Sequence, residues 1–192
     1  MVQVNQNTSE IGNSTLIKKL GTVQRRKEHN MDRLNRMRRK DREIEDRAEL
    51  ESIISAATVC RLAMSQDDRP YIVPLCFGYE DGNLYFHSAD EGKKLEVLRV
   101  NNLVCFEMDI DHELVRADLP CESEMKYRSV IGFGQASFVN EVEEKRIALD
   151  IITRHYSEEN AQGAYVYPKQ KLARTVIIKV KIESLTGKKF GR

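Results

Sequence analysis

Alternating apolar residues mark several stretches of the chain as strands. Between residues 176 and 182 every second residue is apolar, with lysines on the opposite side, which predicts a strand with one buried face. Apolar composition and length predict five further strands, over residues 59–64, 71–77, 84–87, 103–108 and 125–140. Residues 79–82 predict a hairpin turn. Pro74 cannot donate to a ladder, so we expect its strand at a sheet edge.

A second spacing, three or four residues apart, predicts helices. Residues 50–57 carry an apolar face of this kind, and Asp46 and Glu49 before it form a candidate capping box. A short helix is predicted to begin near Glu91. Another is predicted over residues 141–156, with Asn140 as its cap.

Together these elements predict a mainly β protein with flanking helices. Six strands without alternating β-α units are typical of a small barrel, not of a Rossmann sheet. Gly132 and Gly134 would allow the long strand to coil as a barrel requires. We expect one domain over residues 37–192, preceded by a polar, flexible extension over residues 1–36.

Composition narrows the function classes. The net charge of +1 argues against a dedicated polyanion binder. The basic run from Arg33 to Arg42 has no interleaved aromatic residues, and we interpret it as a solvated helix face or an entry segment, not as a nucleic-acid site. No apolar run reaches the ~20 residues of a membrane span, and residues 1–30 lack a secretory core. We therefore expect a cytoplasmic protein with no nucleic-acid or membrane partner.

The cysteines and three of the four histidines suggest no metal site. The four cysteines form no C-x-x-C pair, so zinc and iron–sulfur clusters are not expected. Of these cysteines, Cys60, Cys76 and Cys105 lie among apolar residues and are interpreted as small buried hydrophobes. Three histidines have no carboxylates or cysteines grouped around them in the sequence: His29, His112 and His155. We interpret them as surface or packing residues.

The segment from Phe86 to Lys94 carries the chemistry. A strand ends in His87 and Ser88, a glycine-containing turn follows, and a predicted helix then places Lys93 and Lys94 together. A helix start offers free N–H groups and positive potential, so these residues suit a phosphate monoester. A solvated turn with two surface lysines is the alternative that spacing alone leaves open.

Four short segments extend this picture, and in order and spacing they resemble one family. They are residues 37–44 (MRRKDREI), 70–75 (PYIVPL), 86–94 (FHSADEGKK) and 126–134 (KYRSVIGFG). The chain resembles the nitroimidazole-resistance branch of the pyridoxamine 5′-phosphate oxidase-like, FMN-binding split β-barrels. The resemblance runs from about Met37 to Lys189.

The resemblance implies roles for individual residues, with FMN as the cofactor. The strand predicted over residues 71–77 would lay its backbone along the isoalloxazine ring through Ile72, Val73, Pro74 and Leu75. His87 and Ser88 would lie beside the ribityl chain and phosphate, and Lys93 or Lys94 would pair with the phosphate. Ser129 and Val130 would approach the flavin near a subunit boundary. These barrels form homodimers with flavin at the interface, so the same is expected here.

The resemblance also limits the activity. True pyridoxamine phosphate oxidases end in an Arg/His-bearing segment that holds the substrate phosphate, and residues 184–192 contain no equivalent. We therefore expect an FMN-dependent oxidoreductase acting on a small organic acceptor such as a nitroimidazole. His87 is the candidate catalytic residue. The alternatives are a flavin carrier or sensor without turnover, and a related barrel that binds haem or deazaflavin.

Overall fold

Eight strands, four α-helices and two 3₁₀ helices, Lys40–Arg42 and Pro120–Glu122, are formed by residues 37–157 and 165–191, which the computed structural model describes. The strands are β1 Glu43–Ile44, β2 Cys60–Gln66, β3 Arg69–Leu75, β4 Gly78–Glu80, β5 Asn83–Ala89, β6 Leu103–Val115, β7 Glu124–Val139 and β8 Thr175–Phe190. The helices are α1 Arg47–Ala56, α2 Lys93–Val100, α3 Val142–Tyr156 and α4 Lys169–Ala173. The predicted extension, residues 1–36, and His29 within it lie outside the described residues.

The strands form one antiparallel sheet that coils without closing. Its order is β3-β2-β6-β7-β8-β5-β4, and β1 pairs with β8 outside this path. Within the described residues β3 and β4, the two ends of the path, are not paired with each other. The molecule is therefore a split β-barrel with flanking helices, as predicted.

The six predicted strands correspond to β2, β3, β5, β6, β7 and β8. The two additional strands, β1 and β4, have two and three residues, too few to show an alternating pattern. β6 continues past the predicted end to Val115 because its last residues pair with the start of β7, from Glu124 onward, although both are exposed. Pro74 lies on β3, an end strand, as its missing N–H predicted.

The interior of the barrel holds the main core. It contains the fully buried rings of Phe77, Phe86 and Phe106, packed with aliphatic residues of α1 and α2. Gly132 faces Phe106 across the β6–β7 ladder, and a Cβ at Gly132 would lie 2.2 Å from that ring. The glycine is therefore required by close packing and also by the coiling of the strand. A smaller core lies under α3, around Val139 and Ile177.

Helix caps agree with the sequence in part. Asp46 caps α1 by accepting a 3.0 Å hydrogen bond from the Ala48 N–H. The predicted capping role of Glu49 is wrong, because its carboxylate instead accepts hydrogen bonds from Lys189 Nζ at 2.8 and 2.9 Å. The predicted Asn140 cap is also wrong. Glu141 occupies the N-cap position of α3 and makes no side-chain capping bond.

The cysteine prediction holds for Cys60, which is fully buried, and burial raises the pKa of its thiol. Cys105 is only half-buried, because it points away from the barrel interior. Cys76 is exposed, and its predicted burial is wrong. It follows the last residue of β3 and so lies on a connection, where the strand alternation no longer applies.

Candidate functional site

The strand predicted to contact a cofactor has one edge free of any strand partner in the described part of the chain. β3 pairs only with β2. Val73 and Leu75 turn toward the core, while Ile72, which is 58% exposed, and Pro74 turn outward. The free edge and the two outward residues are therefore what this strand can offer to a flat ligand.

An anchor built on Tyr156 holds the end of β3. The Phe77 N–H donates to the Tyr156 hydroxyl at 2.9 Å, and that hydroxyl donates to the Thr58 carbonyl at 3.1 Å. Beside it, the His155 ring lies 4.3 Å from the Phe77 ring, and its Nε2 is 2.7 Å from the Ala57 carbonyl oxygen. His155 is thus a packing residue, as predicted. The anchor joins the end of α3 to the segments that directly follow α1 and β3.

This anchor leads to an expected stability change. Burial raises the pKa of Tyr156 to about 12, while an unfolded tyrosine ionises near pH 10. The folded state therefore favours the protonated hydroxyl, whose stabilising effect is complete below pH 10 and is lost as the pH rises toward 12. We expect Tyr156→Phe to lower the free energy of unfolding at pH 7 by about 1 kcal/mol, because the Phe77 N–H loses its acceptor.

Urea unfolding at pH 7 and at several pH values between 9.5 and 12 measures both effects. Tyr156→Phe should show a smaller loss of stability with pH than the wild type over that interval. Tyr127→Phe, on β7 and outside the anchor, is the matched control and should keep the wild-type pH profile. An identical alkaline profile for Tyr156→Phe and wild type would contradict the anchor.

The region predicted to hold a phosphate contains an unpartnered buried hydroxyl. Ser88, near the end of β5, is 6% exposed, and its Oγ has no hydrogen-bond partner among the described residues. Buried polar groups are nearly always paired, so such an atom calls for an explanation. A bound oxygen acceptor would supply one.

Two lysines open α2, which follows a turn that carries the exposed acids Asp90 and Glu91. Gly92, with φ +127°, is the N-cap of α2 and offers no side chain to its free N–H groups. Lys93 is exposed, with Nζ 4.7 Å from the centre of the Tyr71 ring on β3, and Lys94 is half-buried. We call Ser88, Gly92, Lys93 and Lys94 the phosphate cradle. The Lys93–Tyr71 contact brings it next to the free end of the sheet.

His87 and Ser88 do not share a face. Adjacent strand residues point to opposite sides, so Ser88 faces the barrel interior while the exposed His87 faces outward, opposite Ile177 on β8. To lie beside the ribityl chain and phosphate, as predicted, the two side chains would therefore have to approach the ligand from opposite faces of β5. His87 can meet a ligand only from the outer side of β5.

The two residues predicted on β7 differ in accessibility. Ser129 is half-buried and faces outward, whereas Val130 is fully buried in the barrel core. The Val130 backbone lies between β6 and β8, paired with Met108 and Gly187. Its side chain cannot line a surface site. Ser129 is separated from β3 by β2 and β6, a distance of roughly 14 Å along the sheet.

Sequence reasoning missed an apolar surface beside β3. Ile72, Ala63, Cys105 and Phe133 are paired side by side across β3, β2, β6 and β7, and all point outward. A shallow cavity of about 270 Å³ lies over the last three of these strands. We call these four residues the outer apolar face. The sequence does contain a pattern that could have indicated this face, because β2, β6 and β7 carry apolar residues on both faces at these positions.

Charged residues border the outer apolar face. Arg61 donates to Glu107 at 3.0 Å and also binds Asp109, which in turn contacts His112. Burial, together with the neighbouring Asp109 carboxylate, raises the pKa of the Glu107 carboxyl. His112 is thus a surface residue, as predicted, although the Asp109 carboxylate, which the sequence did not indicate as its neighbour, lies against its ring.

Residues 46–189 match the pyridoxamine 5′-phosphate oxidase family. The match covers three quarters of the chain and includes every site residue named above. The chain belongs to this family. The predicted family is thereby confirmed.

Among the described helices of this family member, none combines the length and the apolar character needed to cross a membrane.

Three individual proteins add detail. A candidate 5-nitroimidazole antibiotic resistance protein from Bacteroides thetaiotaomicron is 39% identical, with a TM-score of 0.68 over 78% of this chain and 87% of that one. An FAD-binding protein from Mesorhizobium loti is 25% identical, with a TM-score of 0.58 over 78% and 98%. An uncharacterised protein of Rhizobium meliloti is 34% identical over 62 residues, 32% of this chain and 40% of that protein. The first bears out the resemblance to the nitroimidazole-resistance branch.

Proposed function

We propose that this chain is an FMN-binding oxidoreductase that reduces a small organic acceptor of the nitroimidazole class. The observation that carries the proposal is the phosphate cradle, in which a buried, unpartnered Ser88 hydroxyl precedes an uncapped helix start with two lysines. Bound FMN would supply the redox chemistry by accepting electrons and passing them on. The chain's own residues bind and orient it.

The cradle fits a single phosphate monoester. Ser88 Oγ can donate one hydrogen bond, the free N–H groups at the start of α2 can donate others, and Lys93 and Lys94 balance the charge. Asp90 lies close by, but Arg174 approaches it to 3.8 Å and offsets its charge. β3 offers its free edge and the outward faces of Ile72 and Pro74 to the flat ring.

The relatives support a flavin and leave its identity open. The Mesorhizobium loti protein is named for FAD and the Bacteroides thetaiotaomicron protein for nitroimidazole resistance. We favour FMN because the sequence has one phosphate cradle and no glycine loop of the kind that binds a pyrophosphate.

Identification of the released cofactor tests this choice. We expect protein purified from a flavin-replete host to be yellow and to release FMN on heating, as measured by chromatography against FMN and FAD standards. Release of FAD would contradict the single-phosphate argument while leaving flavin binding intact. A colourless protein that does not bind added FMN would contradict the proposed function itself.

The site residues also favour a homodimer. Ser129 and the free edge of β3 lie roughly 14 Å apart along one sheet, farther than one bound ring readily bridges. We infer that each flavin is held by β3 and the cradle of one protomer and approached by Ser129 of a second copy. The outer apolar face, exposed beside β3, would then be covered.

Sedimentation measures this expectation directly. The flavin-loaded protein should sediment as a dimer at micromolar concentration. Replacing Ile72 and Phe133 by lysine places four like charges in a two-fold interface and should shift the protein toward monomer. Lysine at Val166, which is 87% exposed and outside this face, is the control. A flavin-bound wild-type monomer would rule the arrangement out.

A further inference from the structure

A second cavity lies between α3 and α4 and shares no lining residue with the candidate site. Its volume is about 260 Å³. The apolar part of its lining consists of Val142, which is 58% exposed, Leu172 and Ala173. The volume is below the about 300–1,000 Å³ of pockets that hold drug-sized ligands, so a ligand here would be small.

Three cations line the same cavity. Lys145, Arg146 and Lys169 complete its wall. The half-buried Lys145 donates to the Thr175 carbonyl at 3.0 Å. Within residues 37–157 and 165–191, neither Lys145 nor Lys169 has a carboxylate at ion-pair distance.

The acids nearby compensate this charge weakly. Arg146 lies 3.8 Å from Glu143, whose side chain is 81% exposed and therefore screened by water. Glu144 and Glu141 are also exposed in the first turn of α3 and at its N-cap, where the helix dipole favours them. The lining itself thus carries three cations and no acid beside its apolar residues, while the acids lie outside it in water.

We propose that this cavity binds a small amphiphilic anion, a carboxylate on a short hydrocarbon or aryl body. The body would cover Val142 and Leu172, and the head would pair with Lys169 and Arg146 at the rim. Positive charge in a concave, partly apolar wall concentrates anions there and strengthens their pairing relative to open solvent. This site is independent of the flavin proposal, because none of its residues belongs to the cradle or to β3.

Octanoate is a suitable probe, and 1-octanol is its uncharged counterpart. The full-length protein, as purified, is titrated while methyl NMR signals are followed. Octanoate below its micellar range should shift the methyl signals of Val142, Leu172 and Ala173 along one saturable curve, with Ile72 on β3 unchanged. Octanol should bind about tenfold more weakly, since it lacks the charge-assisted contacts.

The double variant Arg146→Gln and Lys169→Gln provides the decisive comparison. Both side chains lie at the surface, and unchanged methyl shifts elsewhere report an intact fold. Octanoate affinity should fall about tenfold or more, while Lys181→Gln, an exposed lysine on β8, should leave it unchanged. The proposal is overturned by equal binding of octanoate and octanol, by equal binding to the double variant, or by shifts centred on Ile72.

Discussion

The Lys93→Ala/Lys94→Ala double variant should bind FMN about 10²-fold more weakly than the wild type. Each lysine would make a charge-assisted contact to the phosphate, worth roughly 1.5–3 kcal/mol, so two contacts give about 10²–10⁴-fold. Lys93 is exposed and its charge is screened by water, which places the expectation at the lower end of this range. Fluorescence quenching of added FMN by the apoprotein measures the dissociation constant.

Three controls separate charge from fold. Lys181→Ala removes an exposed lysine from β8 and should leave FMN affinity unchanged. Riboflavin, which lacks the phosphate, should bind the wild type and the double variant equally. Ser88→Ala tests the buried hydroxyl separately and should weaken FMN binding while leaving riboflavin binding intact. If the double variant binds FMN as tightly as the wild type, the cradle does not hold the phosphate.

The second large effect concerns His87. We expect His87→Ala to keep its FMN and its yellow colour and to lose about 10²–10⁴-fold in the rate of nitroimidazole reduction, the usual cost of removing a general acid. The structure limits how this residue acts, because His87 faces away from the interior that Ser88 faces. If His87 donates the proton, the acceptor must therefore lie on the outer side of β5, whereas Ser88 points to the other side.

Anaerobic mixing of the chemically reduced protein with a nitroimidazole, followed by flavin reoxidation, measures this rate. His112→Ala removes a surface histidine paired with Asp109 and should leave the rate unchanged. A fast His87→Ala variant would return His87 to a structural role while the enzyme hypothesis stands. Reoxidation of the wild type at the rate of free FMN would favour a flavin carrier over a reductase.

The fold could be predicted from the sequence where an element is marked by residues close together in the chain, either by a long run of alternation or by a single cap or proline. The alternation near Val180 identified β8, Asp46 identified the start of α1, and Pro74 identified an edge strand. Each signal depends on neighbours within a few residues. β1 and β4 lack such a signal, since they form only because longer strands offer them partners.

Long-range contacts explain the remaining differences. Glu49 looked like part of a capping box, but Lys189, 140 residues later, binds its carboxylate. The Tyr156 anchor likewise joins Thr58 and Phe77 to a helix about 80–100 residues further on. The opposite directions of His87 and Ser88, by contrast, follow from the strand period alone. The residues of the phosphate cradle are neighbours in the sequence, so they could be proposed as a group from the sequence alone. The outer apolar face was missed because four strands, distant in the sequence, form it together.

The place of β8 in the sheet bears on how the protein folds during synthesis. β8 pairs with β1, β5 and β7, and all three precede it along the chain. Until its residues leave the ribosome, β5 and β7 each lack a neighbour, and their apolar faces remain open to water and to other chains. The nascent protein therefore passes through a stage with exposed strand edges, the situation in which chaperones act. The β7–β8 and β5–β8 ladders, which join β5 and β4 to the rest of the sheet, are thus the last to form.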